Sequence, residues 1–185
     1  MFPASRLEES RALGNNYEKI IAPQFFTDLG WSYQAATDEQ NWRDHFDYIA
    51  TKDNRSLKVE VKAPKICKSS CLSSLVLLEH TGITGMPGWL QGKADVILQF
   101  MSEKSVLCYF REDALKLYPL TTNEIKRCHS YNAPIGEWFG RSGHNNKDMP
   151  NQDIIRWETL PAFKATMPLI FFYEKEDSRW EAYYH

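Results

Sequence analysis

One stretch of this chain constrains its fold more than any other. His45-Phe46-Asp47-Tyr48-Ile49-Ala50 and Leu57-Lys58-Val59-Glu60-Val61-Lys62 both alternate apolar with polar residues, and the polar run Lys52-Asp53-Asn54-Arg55 separates them. Side chains alternate across a strand with period two, so two such runs around a turn predict a β-hairpin. Centring the turn on Asp53-Asn54 pairs residues whose numbers sum to 107. His45 then faces Lys62, Asp47 faces Glu60 and Ile49 faces Lys58. The same register gathers Phe46, Tyr48, Ala50, Leu57, Val59 and Val61 on the other face, the apolar surface that a core requires.

That pairing sets two carboxylates side by side. Like charges opposed across a ladder are unfavourable, by an amount comparable with the roughly 0.2–1 kcal/mol of a good pair. A hard divalent cation offsets the repulsion most simply, because Mg2+ is held by one or two carboxylates with water and phosphate oxygens. Lys62 lies two residues beyond Glu60 and points to the same face. A Lewis acid, a metal-bound water and a nearby ammonium are the parts that phosphodiester hydrolysis needs.

The remainder reads as one domain over residues 1–185, with no repeat and no Gly/Ser-rich linker. Ser5-x-x-Glu8 and Asn15-x-x-Glu18 have the form of capping boxes. Tyr17, Ile20, Ile21, Phe25, Phe26 and Leu29 then recur at helical spacing, predicting a helical region nicked near Gly14 and Pro23. Ala94 to Phe100 and Val106 to Phe110 suit neighbouring central strands, and Glu112 to Leu117 a helix. Thr121-x-x-Glu124 predicts a short capped helix, and Ile154 to Trp157 and Leu169 to Tyr173 predict strands.

The net charge of -2 gives no general basic field, so a polyanion site has to be local. No apolar run approaches the roughly 20 residues that span a bilayer. Met1 to Glu9 has neither the basic start nor the apolar stretch of a secretory signal, so a cytoplasmic protein with no membrane association is expected. Cys67, Cys71, Cys108 and Cys128 lack paired C-x2-C spacing and read as reduced structural thiols rather than a zinc site.

Asp47, twelve intervening residues and then Glu60-Val61-Lys62 resemble the signature of the PD-(D/E)XK nuclease superfamily. Phe46 stands where that signature usually has proline. The second acidic-x-Lys triplet, Glu124-Ile125-Lys126, sits beside a helix cap with no acidic partner, so context separates the two. The resemblance implies an α/β protein with a single-domain, three-layer α/β/α restriction-endonuclease-like core and a mixed central sheet. It implies a Mg2+-dependent deoxyribonuclease in which Mn2+ substitutes. Asp47, Glu60 and the Val61 carbonyl would hold metal, Lys62 would assist the attacking water, and Glu18 on the preceding helix would add a carboxylate. Gly88-Trp89-Leu90-Gln91-Gly92-Lys93, leading into Ala94 to Leu98, is similar to the segment after the hairpin in a phage-type branch of these nucleases.

DNA is the expected partner, and a homodimer is admissible. Six basic residues between Lys52 and Lys68 stand against Asp53 and Glu60, which makes Lys65 and Lys68 candidate phosphate contacts. Trp89 reads either as a base-stacking residue or as a cap on the core edge, with Lys93 as a phosphate contact beside it. Arg141 and Lys147 lie in a polar stretch suited to clamping DNA. Four rival readings use the same residues. Glu18 serves Asn15 as a capping partner; the hairpin acids form a solvated face or a glycosidase pair; and the fold carries a catalytically silent binding module. His144 alone lacks the companions of a His-Asn metal-finger nuclease.

Overall fold

The computed structural model describes residues 4–64, 74–82, 84–121, 125–128, 135–141, 152–177 and 179–184. The chain starts with a long helical segment made of α1 (Ala4–Asn16), a π-helical turn (Tyr17–Ile21) and α2 (Ala22–Asp28). The expected break at Gly14 is absent, and so is the expected cap: Asn15 lies inside α1, and Asn16 makes no side-chain capping bond. Pro23 explains the wide turn. In α geometry its ring would clash with the carbonyl four residues back, whereas the π-turn lets the Ala22 N–H reach the Tyr17 carbonyl five residues back. The extra residue also shifts the apolar stripe. Tyr17, Ala22, Phe25 and Phe26 are buried, while Ile20, expected on that stripe, is 64% exposed.

Seven strands form the larger sheet. These are β1 (Ser32–Ala35), β2 (Tyr48–Lys52), β3 (Arg55–Lys62), β5 (Val96–Ser102), β6 (Ser105–Phe110), β10 (Ile170–Glu176) and β11 (Arg179–Tyr184), in that spatial order. β3 and β5 run parallel, and the other neighbours are antiparallel. The hairpin has the expected register, with Tyr48 opposite Val59, Ile49 opposite Lys58 and Lys52 opposite Arg55. Its turn has positive φ at both central residues, 50° at Asp53 and 62° at Asn54. Asn and Asp tolerate that conformation, and the resulting twist matches the twist of the paired strands.

A second, four-stranded sheet has the order β4 (Leu75–Thr81), β9 (Ile154–Thr159), β8 (Trp138–Arg141) and β7 (Lys126–Cys128). Short helices α3 (Asp38–Asp44), α4 (Arg111–Leu117) and α5 (Leu160–Thr166) complete the described elements. On one face of the large sheet, Tyr48, Val59, Val61, Leu98 and Phe100 pack with Tyr17, Phe25 and Phe26 of the helical segment. On the other, Ile97, Leu107, Tyr109 and Ile170 cluster with Val76, Leu78 and Trp138 of the second sheet and with Phe163 of α5. The protein is thus mixed α/β, but the second face is covered largely by strands and short helices where the sequence reading expected a helical layer. None of the described helices is long and apolar enough to cross a membrane.

Candidate metal and phosphate site

The apolar side of the hairpin determines where its polar side points. Val59 and Val61 bury against the helical segment, so Glu60 and Lys62 project to the opposite face, where the Glu60 Oε1 and the Lys62 ammonium form an ion pair. Glu60 is 5% exposed. The regular ladder ends at Tyr48, one residue short of Asp47. The Asp47 N–H donates to the Val59 carbonyl at 2.8 Å, and its Oδ2 accepts the Val61 N–H at 2.7 Å. Its carboxylate therefore sits beside β3 in the place of a missing backbone partner. In an extended strand a residue's N–H and C=O face the same side, so the Val61 carbonyl opens toward the same gap.

This departure moves Phe46 as well. Strict alternation puts it with Tyr48 and Ala50, but it packs in the opposite cluster, under the Lys58 ammonium. The cause lies just upstream. Helix α3 ends at His45 in a left-handed conformation, φ 51°, so the period of the strand does not extend back through that residue. For the same reason no ladder pair forms between His45 and Lys62. Helix α3 starts in a capping box built from Thr37 and Gln40, and it delivers the Asn41 carboxamide to the Asp47 Oδ1. Asn41 was missed in the sequence, although Thr37-x-x-Gln40 is a legible helix start.

Glu18 sits in the π-turn. The Tyr48 hydroxyl donates to its main-chain carbonyl, and its side chain lines a cleft of about 170 Å³. Ser10 and Gly14 border the same cleft from α1, and Lys62, Leu77 and Gln99 border it from the strands. Burial, then the Asp47 charge, pushes the Glu18 carboxyl above its usual range. Burial is also the main reason that Glu60 is pushed up to about 7; Lys62 opposes the shift, and Asp47 and Glu18 add to it. Burial alone would depress the Lys62 ammonium, but Glu60, Asp47 and Glu79 overcome that effect and hold it charged, above the ordinary lysine range. Glu79, on β4, is a second residue that sequence reading missed. Pairing in the second sheet brings it here, and Gly88 allows the approach, since a Cβ at Gly88 would lie 2.7 Å from the Glu79 carbonyl oxygen.

The remaining candidates divide. Trp89 is 2% exposed, and the Lys62 ammonium stands 5.8 Å from its ring centroid, so its burial fits the core-edge reading and leaves no open face for a base. Lys93 pairs with Asp44 at 2.8 Å, and its N–H bonds the Asp44 carbonyl, fastening the Gly88–Gly92 turn to the end of α3. Arg141 closes β8. Lys65, Lys68 and Lys147 lie outside the described residues, as do Cys67, Cys71, His144 and the Glu124 cap.

One ammonium, that of Lys62, is thus paired with Glu60 and feels the charges of Asp47, Glu79 and Glu18. Their hard oxygen donors suit a hard divalent cation, and the upward shifts of Glu18 and Glu60 are what an excess of negative charge at partly dry positions produces. Among the described residues, no three His, Cys, Asp or Glu side chains are already drawn close enough to hold an ion. No protein-family model matches the chain, and neither a curated protein nor a solved structure matches it.

Proposed function

We propose that the chain is a divalent-metal-dependent nuclease of the PD-(D/E)XK type that hydrolyses phosphodiester bonds in DNA. The observation that carries this reading is the convergence of Asp47, Glu60 and Lys62 on one buried edge of the hairpin, with Lys62 lining a cleft that Glu18 enters from the helical segment. The parallel β3/β5 pair beside the hairpin, with a helical layer on one face, supports a restriction-endonuclease-like core.

Asp47, Glu60, Glu18 and the Val61 carbonyl would hold Mg2+, with Mn2+ as a substitute. When bound, the ion supplies Lewis-acid polarisation of the phosphate and a water of lowered pKa. The chain's own groups orient the reaction. Asn41 and the Val61 N–H fix both oxygens of Asp47, the role that outer-shell partners play for ligating carboxylates. The charged Lys62 ammonium donates to the attacking water or to a phosphate oxygen, where negative charge grows as the new bond forms. The Trp89 ring beneath it limits where that ammonium can move.

The test is incubation of the full chain with linear, circular, single-stranded and branched DNA in Mg2+, Mn2+ and EDTA. Cleavage in either metal, absent in EDTA and lost in Lys62→Ala, supports the reading. The Glu60–Lys62 ion pair favours a second reading, a silent binding module in which lysine permanently neutralises the acids. That module would bind DNA without cutting it and would show no metal-dependent rise in melting temperature.

A further inference from the structure

β5 reads Val96-Ile97-Leu98-Gln99-Phe100-Met101, and Gln99 is the polar residue in its buried run. It is 6% exposed, yet its carboxamide is poorly satisfied. The Tyr109 hydroxyl donates to its Oε1 at 3.4 Å, and its Nε2 reaches the Leu75 carbonyl at 3.5 Å. Both contacts are at the long limit of hydrogen bonding, and a primary amide offers two N–H donors. Both polar atoms thus have a partner, but the bonds are long and weak, and they leave donor capacity unused.

The position of the amide suggests its use. Gln99 is the register partner of Lys62 across the parallel β3/β5 pair, so the two side chains stand next to each other on one face. Both line the cleft that Glu18 enters. The Tyr109 hydroxyl holds Oε1, and Nε2 uses one N–H on the Leu75 carbonyl, so its second N–H is the donor left for a ligand in the cleft.

Resting on the nuclease reading above, we infer that Gln99 is a further catalytic residue, whose Nε2 donates to a non-bridging oxygen of the scissile phosphate beside Lys62. In the reaction the oxygen of water bonds to phosphorus and one ester P–O bond breaks. The departing oxygen takes up a proton from that water, giving a phosphate monoester and a hydroxyl. Negative charge on the non-bridging oxygens grows along this path. A donor already held in a dry cleft stabilises that charge more than it stabilises the ground state.

The test compares the full-length wild type with Gln99→Met, which keeps the size and loses both polar atoms, and Gln99→Glu, which keeps the acceptor for Tyr109 and loses the donor. Each is assayed in Mg2+ on a DNA oligonucleotide and on its two phosphorothioate diastereomers at the cleaved linkage, alongside thermal melting. The expected result is a fall in kcat of about 100-fold for both variants with little change in KM. Sulfur at one non-bridging position should slow the wild type and add little further slowing to either variant, while the Gln99→Met melting temperature is unchanged or raised. Wild-type kcat in either folded variant overturns the inference and leaves the nuclease reading standing. So does a lowered melting temperature with both diastereomers slowed as in the wild type. A wild type that cuts no DNA in Mg2+ or Mn2+ overturns both.

Discussion

Strands β3 and β9 each carry an acid and a base two residues apart, and the two pairs have different surroundings. On β9, Arg156 and Glu158 form a closed unit: the guanidinium donates to the Glu158 Oε2 through Nη2 at 2.9 Å and Nε at 3.3 Å. The other Glu158 oxygen accepts the Thr159 N–H, and Arg156 stacks over the Tyr118 ring. One base meets one acid, and both carboxylate oxygens are engaged. On β3, Lys62 meets Glu60 with Asp47, Glu18 and Glu79 close enough to shift its titration or that of Glu60, and a cleft opens beside it. The same local pattern is a structural clasp in one sheet and an unbalanced, accessible cluster in the other. What separates them is the three further carboxyl groups and the empty volume, neither of which is contained in a triplet of residues.

The largest expected difference is in activity. Glu60→Gln or Lys62→Met should lower Mg2+-dependent DNA cleavage by about 1000-fold or more, as loss of a reacting group does. The double variant Arg156→Met/Glu158→Leu should cut within about threefold of wild type, because a structural pair contributes nothing specific to the transition state. Comparable losses in both would erase the distinction.

Stability should show the reverse order. Arg156→Met alone strands a buried carboxylate and should cost about 3–5 kcal/mol in denaturant unfolding, most of it recovered in the double variant. Glu60→Gln removes a charge that burial already disfavours, so near pH 8 and without metal it should be neutral or stabilising.

The pH dependence sharpens this point. Burial raises the folded-state Glu60 from 4.5 to about 7, so between those values the folded protein binds more protons at this site than the unfolded chain. Stability from this group is therefore greatest below pH 4.5 and declines as pH rises through 7. In EDTA, unfolding of wild type against Glu60→Gln should show that decline, and the variant should lack it; parallel curves would contradict the assignment.

The smallest effect concerns the cleft. A Cβ at Gly14 would meet only the Glu18 Oε1, at 3.9 Å, so Gly14→Leu is sterically allowed in α1 and should gain roughly 0.5–1 kcal/mol of helix stability. The added side chain narrows the cleft and should raise KM for DNA by roughly tenfold, equivalent to about 1.4 kcal/mol of binding. A more stable protein with unchanged KM would mean that substrate does not pass Gly14.

Legibility in the sequence followed the range of the interaction. The β2–β3 register was readable because it depends on nearest neighbours, a turn that tolerates Asp53 and Asn54 at positive φ and a strict alternation. β5, β6 and α4 were readable from local apolar pattern. The alternation misled at Phe46, where a helix end interrupts the strand, and at Ile20, where Pro23 forces the π-turn. The second sheet was hidden because Leu75-Val76-Leu77-Leu78 has no alternation to mark it as a strand or to name its partner. Gln99 reaches the cleft only through the parallel β3/β5 crossover, and the charge of Glu79 reaches Lys62 only through the long-range pairing of the second sheet. Asp47 with Glu60-Val61-Lys62 was legible as a cluster, whereas its surroundings depend on long-range contacts such as Gln99 beside Lys62.

The claim beneath all of this is that the acids around Lys62 form a place for a divalent cation. Calorimetric titration of Mn2+ into the metal-free chain tests it directly. Wild type and the Arg156→Met/Glu158→Leu double variant should bind the ion alike, and Asp47→Asn and Glu60→Gln should lose that binding. Identical titrations for all four proteins, or heat of binding in none of them, would contradict it.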